Sequence, residues 1–272
     1  MSFRTWLYRV TTRRCLNILR SARRRQPAGP TKLGVEPPEP TRLGEIVWLE
    51  PYPDAQLEQV ADSAAGPEVR YERREAISLA FITALQLLPP RPSSTLILRD
   101  VLDFSAREAA AILDTTTHSV NSALRHARAK LAARLPDSEQ APPAPNTPEE
   151  RELLDGLVHA WEEGDVRALV ELMTDDVWLR MPPTPLEYRG LDQARRWFSV
   201  AVFREGRQFR LLPTRANGQP AFGLYLCTSL HGVAQASGLV VITLAGARIS
   251  AITHFESGLL ERFGLPRTIP ER

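Results

Sequence analysis

Residues 104–135 contain the pattern that most restricts the fold of this chain. Ser105 is followed three residues later by Glu108, which is the spacing of a capping box and predicts a helix that begins at Ala106. Asp114-Thr115-Thr116 then interrupts the helix, because short polar side chains compete for backbone hydrogen bonds. The stretch therefore predicts a helix that ends in a tight turn.

A second helix follows this turn. Its apolar positions are spaced by four, three and four residues, which places them on one helical face: Val120, Leu124, Ala127 and Leu131. The opposite face carries small polar and basic residues: Ser119, Asn121, Ser122, Arg125, His126, Arg128 and Lys130. Small polar residues let a backbone approach bases, and basic ones supply charge, so this face suits a DNA groove. A helical hairpin with a solvated basic face would show the same pattern.

Charge is distributed unevenly along the 272 residues. Residues 1–25 hold eight Arg and no acidic residue, whereas residues 26–103 hold 7 basic and 12 acidic residues. Residues 104–135 hold 5 basic and 2 acidic residues, and from residue 148 onward there are 14 basic and 16 acidic residues. Two separate segments therefore match a polyanion, and the C-terminal part does not.

Phe3 to Arg25 has the pattern of one basic amphipathic helix. We expect its apolar residues to face a core: Phe3, Trp6, Leu7, Val10, Leu16 and Leu19. The arginines would remain outside, and Arg23 to Arg25 fit a solvated helix end as well as a phosphate contact. Such a helix would suit DNA, an anionic membrane or a protein partner, and its composition does not choose among them.

Two proline-rich stretches divide the chain, because proline removes amide donors and prevents a continuous helix. The first contains an unusual apolar insert, Ile46-Val47-Trp48-Leu49, which we expect to dock onto another surface.

Helical spacing returns through Ile77, Phe81, Leu85 and Leu88, and again from about 92 to 102, with Leu96, Ile97 and Val101 inward. The predicted parts are residues 1–25, a linker at 26–67, a compact helical unit at 68–135, a linker at 136–147 and a domain at 148–272.

The last domain begins with helices and continues with strands. Thr147, Pro148 and Glu150 predict a capped helix that closes a second capping box. Helices are expected near 149–163, 166–173 and 191–203. Strands are expected at 177–181, 208–216, 220–231 and 236–255, the last being one long strand or a hairpin about Ala245-Gly246. Helices followed by a run of antiparallel strands predict an α+β domain with a curved sheet wrapped on its helices.

Composition argues against several classes of protein. Cys15 and Cys227 are the only cysteines, which fits a reducing compartment rather than a disulfide framework. The most apolar run, Gly238 to Leu244, is too short to cross a bilayer, and no signal peptide precedes the Arg-rich start. We therefore expect a cytoplasmic protein with no membrane partner. No metal-ligand spacing, glycine-rich phosphate loop or nucleophile elbow is present, so no metal or cofactor is expected.

Several segments, in the order of the chain, resemble the extracytoplasmic-function (ECF) sigma factors. FRTWLYRVTTRRCLNILR resembles the end of region 2, which reads and melts the promoter −10 element. WLEPYPD resembles a linker signature of one actinobacterial-type group. ALQLLPPR and LILRDVLDFSAREAAAILDTTTHSVNSALRHARAKL are similar to region 4, whose second hairpin helix enters the −35 major groove. Residues 148–266 resemble the SnoaL-like domain that this group carries as a C-terminal extension.

The resemblance implies a multidomain fold, in which an all-α region 2 end and a region 4 helix-turn-helix precede an α+β SnoaL-like cone. It implies binding to promoter DNA and to the β and β′ subunits of core RNA polymerase, under control of the C-terminal domain with or without a small-molecule ligand. Ser119, Asn121, Ser122 and Arg125 would meet base edges, with Arg128 and Lys130 on phosphate. Arg13, Arg14 and Asn17 occupy positions where the −10 helix of the family touches DNA.

The chain departs from the family pattern in two respects. The family's region 2 begins well upstream of Phe3, with helices that clamp onto the β′ subunit. Either the chain start has been placed too far downstream, or the natural protein lacks this anchor and retains one orphan helix with a DNA-binding domain. Pro92 stands where relatives tend to carry a polar helix former, and a first helical turn tolerates it.

The SnoaL-like fold also occurs in isomerases, dehydratases, cyclases and epoxide hydrolases, which use a carboxylate or His in a dry pocket. Strand alternation places Ile252, His254 and Glu256 on one face, although a structural His would look the same. The candidate pocket residues are Trp161, Trp178, Met181, Tyr188, Phe222, Tyr225, His231, His254 and Glu256, and none is assigned as catalytic. A small-molecule enzyme with a degenerate sigma portion is the first alternative to a sigma factor. A DNA-binding regulator that never contacts polymerase is the second.

Overall fold

The computed structural model describes residues 3–22, 37–43, 49–57, 82, 85–86, 88–132, 142–228 and 232–270. The chain forms two compact units, one from Met1–Gly29 and Ala65–Asp137 and the other from Pro30–Ala64 and Ser138–Arg272. Some expectations fall outside the described residues, namely those for Arg23 to Arg25, Trp48, Ile77, Phe81 and His231 and for the side chains of Leu19 and Leu131.

Helices and strands are numbered along the whole chain. The described α-helices are α1 (Phe3–Ala22), α2 (Asp54–Leu57), α3 (Pro90–Leu96), α4 (Ala106–Leu113), α5 (Thr117–Ala132), α6 (Pro148–Glu162), α7 (Val166–Glu171) and α8 (Leu191–Trp197). π-Helical turns at Ile97–Val101 and Phe198–Val202 extend α3 and α8, and 3₁₀ turns lie at Arg204–Gly206 and Ser257–Phe263. The strands are β1 (Arg42–Leu43), β2 (Met173–Met181), β3 (Thr184–Arg189), β4 (Phe209–Ala216), β5 (Gln219–Thr228), β6 (Val233–Ala245), β7 (Arg248–Glu256) and β8 (Thr268–Pro270).

The predicted helical hairpin is present in the first unit as α4 and α5. Ser105 Oγ accepts the amide of Glu108 at 3.2 Å, and the Glu108 carboxylate accepts the amide of Ser105 at 2.9 Å. Hydrogen bonds from Ser105 hold the pKa of Glu108 below its ordinary value. Asp114 ends α4 in the left-handed conformation, with φ of 56°. Thr116 Oγ1 then accepts the amide of Ser119 at 3.1 Å and caps α5.

The buried face of α5 follows the predicted helical period, and α4 buries one face as well. Ala109, Ala110, Ile112, Val120, Leu124 and Ala127 are all buried. The expectation for the preceding helix was only partly right, since Leu96 is buried, Ile97 is partly buried and Val101 is 42% exposed. Leu98, which was not expected to face inward, is buried. The π-helical turn explains this difference, because it adds a residue to one turn and so rotates the residues after it away from the α-helical phase.

The expectation for the inner face of α1 was right for Leu16, which is buried, and wrong for four other apolar side chains, which are exposed: Phe3, Trp6, Leu7 and Val10. The face that packs against α4 contains the buried Thr5 and the partly buried Tyr8. The Tyr8 ring meets the Phe104 ring edge-on at 4.9 Å, and the Arg4 guanidinium lies 4.6 Å from the centre of the Phe104 ring. These specific aromatic contacts, rather than the amphipathic pattern, select the packed face of α1.

The second unit contains one sheet with the strand order β1-β3-β2-β7-β6-β5-β4, and β8 pairs with β6. Neighbouring strands are antiparallel except for β2 and β7, which run parallel, so the sheet is mixed rather than antiparallel as expected. The long apolar stretch from 236 to 255 forms a hairpin with its turn at Gly246-Ala247. The sequence did not predict β1, β3 or β8, which are short and carry few apolar residues.

The first turn of α6 is anchored to the sheet by a buried carboxylate. Thr147 caps α6 as predicted, but Glu150 accepts the amide of Asn146 at 2.6 Å instead of closing the box on Thr147. Glu150 is 2% exposed and accepts hydrogen bonds from the Arg215 guanidinium on β4 at 3.1 and 3.2 Å. This ion pair therefore joins the start of α6 to β4.

Replacing Glu150 with Ala should lower the free energy of unfolding of the second unit by about 2–3 kcal/mol, because it leaves the Arg215 charge poorly compensated. Arg215 keeps Asp54 at 3.7 Å, which reduces the loss. Urea unfolding of the full chain measures the change. Glu152→Ala, on the exposed side of the same helix, is the control and should change stability by less than about 0.5 kcal/mol. Equal losses in the two variants would contradict a specific role for the buried pair.

Candidate functional site

The outer face of α5 is exposed and free of acidic residues. Its described side chains on that surface include Thr117, His118, Ser119, Asn121, Ser122, Arg125, His126, Arg128 and Lys130. Val120 and Leu124 are buried on the other side, so the helix is held by its apolar face and presents its polar one. Thr116 and His118, at the start of α5, were not among the predicted contacts, although residues at this end of a second hairpin helix are the ones that approach bases.

Arg128 differs from the other basic residues of α5. Its guanidinium donates two hydrogen bonds to the Asp100 carboxylate, at 2.9 and 2.8 Å. This hydrogen-bonded pairing raises the pKa of Arg128 above its ordinary value. Since Asp100 lies in the π-helical turn after α3, the pair ties α5 to the preceding helix. Arg128 therefore has a structural partner in addition to the phosphate contact predicted for it.

The predicted DNA-contacting residues of α1 lie on its exposed surface. Arg14 and Asn17 are exposed, and Arg13 donates to the Asp114 carboxylate at 2.7 Å. Arg9 also donates to Asp114, at 3.3 Å. Both ion pairs are exposed, and such pairs contribute only about 0–1 kcal/mol each. Arg13 can therefore exchange Asp114 for a phosphate at little cost.

Residues 49–54, the described part of the WLEPYPD segment, dock on the turn between β4 and β5. The amide of Tyr52 donates to Asn217 Oδ1 at 2.7 Å, and the amide of Asn217 donates to the carbonyl of Tyr52 at 3.0 Å. The carboxylate of Asp54 accepts the amide of Gly218 at 2.8 Å. Pro51 and Pro53 are buried in the same contact. The linker is thus joined to the second unit through the backbone groups of a turn.

An earlier part of the linker extends the sheet. β1 pairs with the edge strand β3, with Arg42 opposite Glu187. The fully buried Tyr188 donates its hydroxyl hydrogen to the carbonyl of Pro38 at 2.8 Å. Burial raises the pKa of Tyr188 to about 12, so this hydroxyl remains a donor at neutral pH. Residues 37–43 and 49–57 therefore both belong structurally to the second unit.

Three arginines surround the indole ring of Trp178. The guanidinium carbons of Arg42, Arg180 and Arg189 lie 4.6, 4.7 and 5.2 Å from the ring centre. Glu187 lies 2.5 Å from Arg42 and 3.4 Å from Arg180, so two guanidinium groups share one carboxylate. Trp178 thus takes part in a cation–π cluster beside β1.

A cavity of about 220 Å³ lies in the second unit. Of the residues predicted for a pocket, Trp161, Met181 and His254 line it. Residues that the sequence did not single out also line it, including Pro37, Arg180, Trp197, Phe198, Arg207 and Ser237. The sequence contains no local pattern that marks these residues as cavity-lining, because a curved mixed sheet brings together positions that are far apart in the sequence.

Five of the predicted pocket residues lie elsewhere. Trp178 is in the arginine cluster, Tyr188 binds the linker, and Phe222 is in the hydrophobic core without lining the cavity. The Tyr225 hydroxyl donates to the carbonyl of Pro266 at 2.8 Å. Glu256 is exposed at the end of β7. The structure therefore does not bring Glu256 and His254 together inside the cavity.

His254 lies on β7 opposite β6, where Gly238 leaves room for its ring. A Cβ atom on Gly238 would lie only 2.3 Å from His254 Nε2. Burial lowers the pKa of His254 to about 4, although the nearby charge of Glu256 acts in the opposite direction. The imidazole is therefore neutral at pH 7. A general base works best with a pKa near the working pH, so this environment suits a binding group better than a proton-transfer group.

Acidification should destabilise the second unit through His254. The unfolded chain takes up a proton near pH 6.5 and the folded unit only near 4, so the folded state loses stability as the pH falls through that interval. Between pH 7 and 5 the wild type should lose roughly 1–2 kcal/mol more than His254→Gln. Urea unfolding at both pH values measures this, with the exposed His159→Gln as the control. Identical losses in all three proteins would show that the imidazole is solvated.

The described part of the chain contains no group of three or more His, Cys, Asp or Glu side chains arranged to hold a metal ion. Among the same residues, no helix has the length and apolarity needed to cross a membrane.

Two families match parts of the chain. The Sigma-70, region 4 family matches residues 78–131, which contain α3, α4 and all but the last residue of α5. The SnoaL-like domain family matches residues 154–256, which contain β2 to β7.

Similar proteins were found among curated sequences and solved structures. ECF RNA polymerase sigma factor SigG of Mycobacterium tuberculosis is 37% identical over 279 residues, which are 98% of this chain and 72% of that protein. The crystal structure of the Mycobacterium tuberculosis extracytoplasmic function sigma factor SigJ matches with a TM-score of 0.54 and 22% identity, over 84% of this chain and 77% of SigJ. A putative ketosteroid isomerase from Kribbella flavida matches 41% of this chain and 79% of its own, with a TM-score of 0.34 and 18% identity.

Proposed function

Because the chain belongs to the ECF RNA polymerase sigma factors, we propose that it directs core RNA polymerase to a promoter. The observation that carries this proposal is the capped helix-turn-helix, whose second helix presents an exposed face without acidic residues. A helix held in this way fits the major groove of a −35 element. The basic helix α1 supplies a second DNA-binding segment, for the −10 element.

Use of both promoter elements requires α1 to leave α4. Elements centred at −10 and −35 are about 25 base pairs apart, or ~85 Å along B-DNA at 3.4 Å per base pair. A helix of 20 residues such as α1 is only ~30 Å long. While α1 packs on α4, it cannot reach the second element. The exposed Arg9 and Arg13 pairs with Asp114 are contacts that such an opening would break.

We propose that the C-terminal domain regulates this opening by holding the linker. The two docked segments, 37–43 and 49–57, lie in the sequence between α1 and the helix-turn-helix. While they are hydrogen-bonded to Asn217, Gly218 and Tyr188, these segments cannot extend. The chain that can stretch between α1 and the helix-turn-helix is therefore shorter. Release of the linker would therefore favour a promoter-bound state, and docking would oppose it.

The enzyme alternative has less support. The titratable side chains that line the cavity are His254, whose pKa burial has moved to about 4, and two arginines. Glu256, the carboxylate predicted to act with His254, is exposed outside the cavity. An acid–base pair for isomerase, cyclase or hydrolase chemistry is therefore not assembled by the described residues.

Run-off transcription tests the proposal. Promoter fragments selected from a random library with this protein and core RNA polymerase should yield defined transcripts that neither component gives alone. Specific DNA binding that is independent of polymerase, with no transcript from any selected fragment, would instead support the regulator that never contacts polymerase.

Arg125→Ala should weaken binding to a selected promoter by about 1–3 kcal/mol, because an exposed Arg on the outer face of α5 is placed for a bidentate contact with guanine. Binding to unrelated DNA should change less. Arg167→Ala removes the same charge from an exposed helix of the second unit and should leave both affinities unchanged. Competition binding measured at one fixed salt concentration separates the effects, and equal losses on all sequences would rule out base reading by Arg125.

Lys130 and Arg128 should differ in their effect on non-specific binding. Lys130→Gln should reduce the slope of log affinity against log salt by about one, as loss of one phosphate contact does. Arg128→Gln should reduce it by less, because Asp100 already compensates its charge. A salt titration of binding measures both slopes, and a larger change for Arg128 would reverse this assignment.

Linker docking can be tested with two acidic residues that each pair with an Arg of the C-terminal domain. Asp54 is largely buried and binds the turn at Gly218, whereas Glu50 forms an exposed pair with Arg262. Asp54→Ala should release the linker and raise run-off transcript yield about fivefold, within the usual range of regulatory coupling. Glu50→Ala should leave the yield unchanged. Equal yields from both variants would contradict regulation through this contact.

A further inference from the structure

We infer that the cavity of the second unit binds a compact, mostly apolar molecule that carries one carboxylate, and that this ligand contacts the docked linker at Pro37. The ligand class rests on the cavity alone. Its regulatory consequence rests on the proposed function.

The size and walls of the cavity restrict the ligand to a small apolar body. A volume of 220 Å³ accommodates about ten non-hydrogen atoms at the packing density of protein interiors, ~0.74. Most of the wall is aliphatic or aromatic, including Leu179, Met181, Phe198, Leu224, Val240 and Ile252. A polar ligand such as a sugar would leave its hydroxyl groups unpaired against such walls.

One wall residue has an unpaired hydrogen-bond donor. Trp161 is 3% exposed, and no described residue accepts a hydrogen bond from its indole Nε1. A buried donor without a partner costs about 1–3 kcal/mol, and buried Trp N–H groups usually have one. An acceptor atom on a ligand would satisfy this group.

The charged groups of the lining favour an acceptor that is anionic. Arg180 and Arg207 both line the cavity, and no carboxylate does so among the described residues. Arg180 shares Glu187 with Arg42, and its Nε lies 3.4 Å from the carboxylate and has no hydrogen-bond partner among the described residues. Arg207 forms no ion pair with a described residue. Desolvation lowers the pKa of Arg180, as expected for a guanidinium group that lacks full compensation.

A monoanion fits this surplus better than other charges. Arg42, Arg180 and Arg207 together exceed Glu187 by two positive charges, so one carboxylate can be bound without excess negative charge, and an ammonium ligand would meet the two guanidinium groups of the wall. A phosphate dianion would need more donors than a mostly apolar wall offers. His254 is neutral, so it can donate or accept one hydrogen bond without altering this balance.

The position of Pro37 couples the ligand to the linker. Pro37 lies in the docked segment, one residue before the Pro38 carbonyl that binds Tyr188, and it forms part of the cavity wall. A ligand that contacts Pro37 binds more tightly to the protein with the linker docked than to the protein with the linker released. By linkage, the ligand then stabilises docking to the same extent.

Three probes with one apolar body test the ligand class on the full chain without DNA or polymerase. These are 4-phenylbutyrate, 4-phenylbutanol and 4-phenylbutylamine, with affinities measured by calorimetry and by the fluorescence of the cavity tryptophans. The acid should bind at least tenfold more tightly than the alcohol, and the amine should bind more weakly than either. Equal affinity for acid and alcohol, or preference for the amine, would overturn the inference.

Two substitutions test the assigned groups. Trp161→Phe keeps an aromatic wall and removes the N–H donor, and Arg207→Met keeps an unbranched apolar stem and removes the charge. Each should weaken acid binding about tenfold and leave alcohol binding unchanged, while the exposed Arg196→Met should affect neither. Equal weakening of acid and alcohol by both substitutions would show that these groups only shape the wall.

Cleavage of the linker tests the coupling. Trypsin cleavage after Arg42, followed by mass spectrometry, should slow several-fold when 4-phenylbutyrate is bound, because β1 must leave the sheet to be cut. An unchanged rate at saturating acid would overturn the Pro37 contact. Binding and cleavage need no transcription, so failure of the run-off assay with intact acid binding would reject the sigma-factor proposal and leave the ligand site standing.

Discussion

The arrangement of this protein depends on backbone hydrogen bonds between the linker and one β-turn. The amide of Tyr52 donates to the side-chain oxygen of Asn217, and the amide of Asn217 donates to the carbonyl of Tyr52. The carboxylate of Asp54 accepts the amide of Gly218. Each such bond contributes only about 1 kcal/mol, but the group left behind in a buried site costs more when one is broken. The linker is therefore held at several points that release together. A segment that the sequence places between α1 and the helix-turn-helix thereby becomes part of another folded unit.

Arginine serves different purposes in the two units, and its neighbours determine which. Arg215 meets the buried Glu150 and fixes a helix start, and Arg128 meets Asp100 with two hydrogen bonds. Arg125 belongs to the exposed face of α5, where a nucleic acid can reach it. The residue type is the same in these cases. Only the position of a carboxylate separates a structural arginine from one available to DNA.

Local signals in the sequence were sufficient for the hairpin and insufficient for features set by distant contacts. The capping box at Ser105 and the period of Val120, Leu124 and Ala127 involve residues within one or two turns, so they could be predicted. The inner face of α1 could not, because Tyr8 packs on Phe104, about a hundred residues away. β3 was missed because its short strand carries little apolar alternation, and the parallel pairing of β2 with β7 leaves no local trace. The DNA-contacting residues remain predictions, although the structure exposes most of them as the hairpin pattern requires.

The side chains that line the cavity suit the binding of a ligand better than catalysis. An enzyme of this fold needs an acid or base whose pKa is close to neutral. The His254 ring packs against Gly238, and burial lowers its pKa to about 4. The same burial leaves the indole N–H of Trp161 without an acceptor and places two guanidinium groups beside apolar walls. These are features that bind an anionic acceptor and do not move protons. Because Pro37 of the linker lines the cavity, the proposed ligand would stabilise the docked linker, and in the proposed function this opposes the separation of α1 from α4.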